Sequence, residues 1–464
     1  MSAPSRVGRE PMKARDRITV IGAGVSGRAL AVFARKLGHA VFVSEAKAVG
    51  DEAGELFRRF GVEYESGGHT ERILDCDAMV LGSGVPPGCE PVSRAQEKGL
   101  RVIGEVDFLA PHLEGSLIGV TGSNGKTTTA LLIGHLLKEA GFQAGVAGNV
   151  GSPLASHAGL NQEILVIELS SFQLFWAHGL HLDIAVVTNL EPDHIDWHGS
   201  VEEYYQAKAK IVGMLKSGGP LICQERDLSF LVPGVPSPAG VFPLSWEKEP
   251  AERRKESLLM KDDRAVMVSG GVERALFNYK DVRLLGRHNL ENAAMSSAAF
   301  ILEGGQREAL AAALASFRAP SHRCELVETV DGVSFIDDSK GTNVAATIAA
   351  LTSLEGDKVI ILGGRGKGED YGSLAEVVLM RSQAVVLLGE ESPRIRQALE
   401  SRDFKNIVEA ASMSEAVSRA FQASSPGGMV LLSPACTSWD MYANFAEKGE
   451  DFQKWVKALK QESS

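Results

Sequence analysis

Long apolar runs, paired cysteines and surplus positive charge are all wanting in this chain of 464 residues. No uninterrupted stretch of about 18 apolar residues occurs, so no membrane span is expected. The five cysteines, Cys76, Cys89, Cys223, Cys324 and Cys436, are scattered and form no Cys-x-x-Cys pair. That argues against a zinc ribbon or a redox motif and fits reduced thiols in a cytoplasmic protein. Lys and Arg number 48 against 59 Asp and Glu, a net charge of −11, so no nucleic-acid partner or acidic membrane surface is expected, although local basic pockets for phosphates are compatible with it. No tandem repeat of roughly 20 to 50 residues is visible. Residues 1–16 are polar, with Pro4, Pro11 and several arginines but no apolar signal-peptide core, and read as a flexible tail. What remains is a soluble globular composition, 44% hydrophobic and 23% charged, long enough for about three domains.

The most informative stretch present is Gly119 to Thr129, Gly-Val-Thr-Gly-Ser-Asn-Gly-Lys-Thr-Thr-Thr. It follows the apolar Ser116-Leu117-Ile118 and runs into Ala130-Leu131-Leu132-Ile133, the strand-to-helix setting of a phosphate-binding loop. Gly122, Asn124 and Gly125 let backbone N–H groups turn toward a polyphosphate, and the helix that opens at Lys126, Thr127 and Thr128 adds its positive end. Lys126 is expected on the β and γ phosphates and Thr127 on Mg²⁺. The strict pattern has glycine at position 120, where this chain has Val120 between Gly119 and Gly122.

Ahead of it, the apolar strand 17–21 leads into Gly22-Ala23-Gly24-Val25-Ser26-Gly27 and a helix through Leu37, a dinucleotide-type turn. The turn predicts a phosphorylated ligand near the backbone and leaves the cofactor open. A strand from Ala40 ends at Ser44-Glu45, where a carboxylate suits a ribose. Another, Ala78 to Leu81, ends in Gly82-Ser83-Gly84-Val85-Pro86-Pro87, where open α/β sheets place ligands. A composition break at 110–115 closes this first unit, 17–113.

In the second unit, 114–318, Asn149 follows a glycine-rich strand, and the strand from Ile164 ends at Glu168-Leu169-Ser170-Ser171. A strand-end acid near a phosphate loop suits Mg²⁺, which makes Glu168 a candidate. The strand Ile184 to Val187 leads to a cluster holding Asp193, His194, Asp196 and His198, side chains able to bind metal or move protons. The helical stretch 201–215 carries Lys208 and Lys210, whose spacing alone places them on a solvated face. Residues 223–281, rich in proline, read as short strands and loops at the domain's edge, and 286–292 opens a helix. A third unit, 319–464, starts with strands flanking Asp331-Gly332, a hairpin signal, and continues as alternating strands and helices. Three α/β domains in series, each with ligand loops at strand ends, suggest a clamp around a central site.

These residues together resemble the Mur ligase family. The resemblance rests on 119–128, on Glu168-Leu169-Ser170-Ser171-Phe172-Gln173-Leu174, on Thr188-Asn189 with Asp193-His194, on the Tyr-x-x-Lys around Lys208, and on Arg287-His288-Asn289-Leu290-x-Asn292. The segments 338–343 and 432–440 are similar to the branch that adds D-glutamate. The resemblance implies a Rossmann-like N-terminal domain, a central P-loop ATPase-type domain with a mostly parallel sheet, and a Rossmann-like C-terminal domain. It implies an ATP-dependent ligase, a monomer of the cytoplasm, that joins D-glutamate to UDP-MurNAc-L-alanine through an acyl phosphate during peptidoglycan precursor synthesis. ATP would lie on the P-loop with Asn289, Arg323 and Asp338. Two Mg²⁺ ions would be held by Thr127, Glu168, His194 and a carbamylated Lys208. Val25, Ser26, Gly27, Glu45, Ser83 and Gly84 would hold the uridine diphosphate, and Asn149, Ser170 and Gln173 the sugar and peptide. D-Glutamate would meet Lys340, Thr342, Lys367, Ser438, Trp439 and Phe445, lysines suiting its two carboxylates. The competing expectations are a sibling ligase, one acting on a folate acceptor, and a nucleotide-switched binding protein.

Overall fold

Strands, most of them apolar along their length, form three sheets joined by helices in the computed structural model. It describes residues 15–233, 240–247, 255–284, 286–318, 321–354, 356–366 and 368–463. Lys367 and all but the last two residues of the expected tail lie outside them. The chain divides into two compact units, Met1–Asn278 with Ala294–Ala313, and Tyr279–Ala293 with Leu314–Ser464.

The first unit carries two sheets. One is fully parallel, in the order Glu63–Ser66, Ala40–Glu45, Arg17–Ile21, Ala78–Leu81, Arg101–Gly104. Strand order reverses between Arg17–Ile21 and Ala78–Leu81, so both glycine turns flank the switch point where such sheets bind ligands. The second sheet has the order Val272–Asn278, Arg264–Ser269, Ser257–Met260, Val241–Trp246, Leu221–Gln224, Ile184–Val187, Ser116–Thr121, Ile164–Glu168, Ala144–Gly148. It is parallel except for its two antiparallel edge strands, Arg264–Ser269 and Val272–Asn278, which occupy the region read as edge structure. Ser116–Thr121 pairs with both Ile164–Glu168 and Ile184–Val187, so the phosphate loop, Glu168 and the 188–198 loop leave the same edge side by side.

The second unit holds the sheet Glu325–Val330, Val333–Asp337, Met429–Leu432, Lys358–Leu362, Ala384–Leu387, Ile407–Glu409, parallel after its first hairpin. The hairpin turns on Asp331 and Gly332 at φ 46° and 80°, the left-handed pair its signal predicts. The 19-residue helix Phe445–Ser463 packs its Phe452 and Val456 into the sheet's core. All five cysteines are free thiols. No helix among the described residues is long and apolar enough to cross a membrane.

Candidate active site

The phosphate loop grows from Ser116–Thr121 and ends at Gly125, whose φ of 78° starts the helix Lys126–Glu139. Val120 is a fully buried strand residue paired with Glu168 and Val186, so the turn falls later, at Gly122 with φ 145°. Gly122 lies so close to the next loop that a Cβ would sit 1.9 Å from the Thr188 hydroxyl. That loop stitches the turn in place. Ser123 N–H donates to Asn189 O at 2.9 Å, Asn124 N–H to Asn189 Oδ1 at 2.9 Å, and Thr188 Oγ1 to Asn124 O at 2.5 Å. Ser123 Oγ donates to Glu191 O at 2.7 Å and accepts from Tyr204 at 3.0 Å. Lys126 Nζ folds back to donate to Ser123 O at 2.8 Å, and Thr127 and Thr128 are buried in the first helical turn.

The helix Val201–Gly213 turns Tyr204 and Lys208 inward, one turn apart, beside Ala207 and Ile211. Lys208 is therefore 1% exposed, which corrects the solvated face expected from spacing: the apolar neighbours at i−4, i−1 and i+3 carry it into the core. Its Nζ donates to Gly122 O at 2.6 Å and lies 4.7 Å from the centre of the Tyr204 ring. Burial, reinforced by the charge of Lys126, drives its pKa well below the ordinary lysine value, against opposition from Asp193 and Glu168. Lys126, Glu168, Asp193 and Lys208 thus share one electrostatic field. Glu168 is itself 1% exposed. Its Oε1 accepts from Asn149 Nδ2 at 3.4 Å, while its Oε2 is buried without a hydrogen-bond partner. Such an oxygen is costly unless a cation takes it, and a hard carboxylate oxygen suits Mg²⁺. His194 is exposed, in the left-handed region at φ 52°, with its ring centre 4.8 Å from that of Phe172 and 6.2 Å from that of Tyr204.

In the first sheet, a Cβ on Gly27 would meet Gly22 O at 2.0 Å, so only glycine lets the helix Val25–Lys36 start this close to the turn. Val25 is exposed at that start and Ser26 is half-buried. Glu45 holds the turn by accepting from Ala23 N–H at 2.7 Å. Ser170 and Gln173 form a capping box on the helix Ser171–Trp176, which ties up the Gln173 carbonyl. The Gln173 amide crosses to the first sheet and donates to Glu105 Oε1 at 2.7 Å, which also accepts from Ser83 Oγ at 2.7 Å. Trp176 and Trp197 donate to Val85 O at 3.3 Å and Gly84 O at 3.2 Å, pinning the second glycine turn to the same seam. Glu105 escaped the sequence reading: it is one acid after a short strand, and its neighbours in chain carry no motif.

Within the second unit, Asp338 is buried beside Arg323. It accepts from Ser433 Oγ at 2.7 Å and Cys324 N–H at 3.2 Å. Lys340 Nζ lies 4.7 Å from the Phe445 ring centre, which brings two of the expected glutamate contacts together. Ser438 is buried with its hydroxyl unpartnered, whereas Trp439 is exposed and Thr342 half-buried. Asn289 is buried in the first turn of Arg287–Leu302 and accepts from Asn292 at 3.2 Å. Lys448, unmentioned by any sequence signal, is buried and donates to Gly363 O at 2.6 Å. His322, Glu325 and Asp337 form the one metal-like group found among the described residues. Their oxygens, however, already accept from His322 and from the Gln453 amide at 2.9 and 3.2 Å.

Burial pushes the Asp338 carboxyl up to about 7. Between about pH 4, the ordinary carboxylate value, and pH 7 the native protein keeps a proton that the unfolded chain releases, so stability falls as pH rises through that window. Asp338→Asn is expected to flatten this slope, read from unfolding midpoints at pH 5 and pH 8 without nucleotide; an unchanged slope would count against the assignment.

Residues 17–91 match the MurD N-terminal domain, 120–300 the Mur ligase middle domain, and 322–436 the Mur ligase glutamate ligase domain. The UDP-N-acetylmuramoylalanine–D-glutamate ligase of Pelotomaculum thermopropionicum is 38% identical, over 96% of this chain and 98% of its own length. The chain belongs to the Mur ligase family. This Mur ligase is also 35% identical to the enzyme of the same name from Symbiobacterium thermophilum, over 97% and 99% of the two chains. A pseudomurein peptide ligase type C from Methanothermus fervidus shares its fold, with a TM-score of 0.58 at 17% identity, covering 96% of this chain and 100% of that one. Mur ligases are ATP-dependent and use Mg²⁺, and the buried Glu168 oxygen beside the phosphate loop fits that requirement.

Proposed function

We propose that this Mur ligase forms the amide between the alanyl carboxylate of UDP-N-acetylmuramoyl-L-alanine and the amine of D-glutamate, as a cytoplasmic monomer with domains 17–113, 114–318 and 319–464. The observation that carries the reading is one sheet edge bearing a phosphate loop and an unpartnered buried carboxylate oxygen, with a buried lysine poised to be neutral reaching Gly122 O from the helix Val201–Gly213, in a chain that aligns over 96% of its length with a D-glutamate ligase. The five free thiols accord with a reducing compartment.

ATP would lie on the backbone of 122–128, with Lys126 on its phosphates. Two Mg²⁺ ions would be held by Thr127 and Glu168 on one side and by His194 and Lys208 on the other, supplying positive charge to the transferring phosphoryl group. A neutral Lys208 amine can attack CO₂, forming an N–C bond as one C=O π bond opens and losing one proton to solvent, which turns the amine into an anionic oxygen ligand. The alanyl carboxylate attacks the γ-phosphorus and ADP leaves; the glutamate amine then attacks the acyl phosphate and phosphate leaves. Lys126 offsets charge on the phosphoryl oxygens, and the stitched loop keeps its donors aimed without reorganisation. His194, if not wholly engaged with metal, orients the incoming amine. Lys340, Thr342, Lys367, Ser438 and Phe445 would receive D-glutamate. Asn289, Arg323 and Asp338 are the further residues that the family resemblance assigns to the nucleotide.

Purified protein given ATP, Mg²⁺, UDP-N-acetylmuramoyl-L-alanine and each glutamate enantiomer is expected to yield a product heavier by one glutamate residue with the D form alone. Phosphate release driven instead by L-alanine with UDP-N-acetylmuramate, or by a pteroyl acceptor, would overturn the assignment.

A further inference from the structure

Glu105 lies outside every motif that ties the chain to its family. It opens the helix Glu105–Leu109 directly after the strand Arg101–Gly104 and is 4% exposed. Its Oε1 accepts from Ser83 Oγ and from Gln173 Nε2, each at 2.7 Å. Two side-chain donors from two elements thus converge on one buried group: the second glycine turn and the capped helix of the middle sheet. Burial raises the carboxyl's pKa, and the hydrogen bonds from Ser83 and Gln173 pull it back toward the ionised form.

An ionised carboxylate only accepts, and a serine hydroxyl has one proton to give. We propose that Glu105 is a positioning residue for the uridine-nucleotide substrate, resting on the substrate assignment above: by taking the Ser83 hydroxyl proton and one amide proton of Gln173, it leaves Ser83 to meet the ligand as an acceptor only. A substrate group that meets this serine is then a donor, an N–H or a sugar O–H. The pyrophosphate is left to donors other than the Ser83 hydroxyl, because a serine already committed to Glu105 has no proton for a phosphate oxygen. The same carboxylate ties the two sheets together through Gln173, so the nucleotide end and the peptide end of one substrate are set in register by a single side chain.

Glu105→Gln keeps the shape and removes the charge, turning one acceptor edge into a donor that faces a hydroxyl. Calorimetric titration with UDP-N-acetylmuramoyl-L-alanine is expected to show a Kd raised about 10- to 100-fold, with the Kd for a non-hydrolysable ATP analogue and the unfolding midpoint close to those of the unaltered protein. Adding Ser83→Ala to Glu105→Gln is expected to cost less than Ser83→Ala alone costs, since the two act as a pair. An unchanged Kd in Glu105→Gln overturns the proposal. So does an equal loss of affinity for both ligands with a lowered midpoint, the mark of a purely structural role. If Glu105→Gln does not fold, Glu105→Asp, which withdraws the carboxylate by one methylene, must show the same selective loss or the proposal fails. Unaltered protein that does not bind the uridine nucleotide at all refutes the substrate assignment itself.

Discussion

Lys208→Ala is expected to lower the ligation rate by about 100- to 1,000-fold while the protein stays folded, and acetate or formate is expected to restore part of it. The expectation follows from where the amine sits. Nearly complete burial and the charge of Lys126 disfavour the ammonium, so the side chain is ready to react with CO₂ or to act as a neutral ligand. Its amine donates to Gly122 O at 2.6 Å, and losing that bond costs roughly 1 kcal/mol, too little to unfold the chain. A short carboxylate diffusing into the vacated space would return an anionic oxygen to the position of the missing carbamate. Lys208→Arg is expected to fail as fully as alanine, because a guanidinium neither loses its proton nor forms the adduct. Steady-state rates with and without added carboxylate, alongside intact mass in CO₂-rich buffer, check the prediction. An intact Lys208→Ala protein with undiminished rate, or one indifferent to carboxylates, would remove carbamylation from the mechanism.

Gly122→Ala is expected to abolish ATP-dependent turnover and to cost about 2–5 kcal/mol of stability, through two separate penalties. The residue sits at φ 145°, which side-chain-bearing residues rarely adopt, and its new methyl would lie 1.9 Å from Thr188 Oγ1 and 3.1 Å from Asn189 N. The atoms in the way belong to the loop that holds Ser123 and Asn124, so relief of the clash spoils the phosphate cradle directly. Gly24→Ala is the matched comparison: φ is −65° there and nothing lies within 4 Å of an added Cβ, so its effect on stability is expected to be within a few tenths of a kcal/mol. Chemical unfolding and titration with an ATP analogue separate the two outcomes. A Gly122→Ala protein that binds nucleotide normally would show that the turn is not the phosphate site.

Most of the strands and helices were legible because parallel strands buried on both faces are apolar throughout, as Ile164 to Ile167 and Ala78 to Leu81 are. The misses are the strands that escape this rule. Glu63–Ser66 and Ile407–Glu409 lie at sheet edges and are half-buried or exposed, so their sequences carry no apolar signature. The phosphate loop was legible from Gly125-Lys126-Thr127, but the off-pattern Val120 made sense only once the strand was seen to run one residue past it. Lys208 was placed on the wrong face because a lysine is normally solvated, and only the resemblance to a family pointed the other way. Glu105 and Lys448 were invisible for a related reason. A buried charge is defined by partners distant in sequence, Ser83 and Gln173 for one and Gly363 for the other, and no local pattern announces them.

The first unit is not continuous along the chain. Its last piece, Ala294–Ala313, is made only after Tyr279–Ala293, which belongs to the second unit, and it contributes Met295, Ala298, Ala299 and Phe300, each at most 1% exposed. A nascent polypeptide therefore cannot complete this half of the molecule when residue 278 leaves the ribosome. Until the helix Arg287–Leu302 has emerged, those apolar contacts go unmade, and biogenesis of the two halves is interleaved rather than sequential.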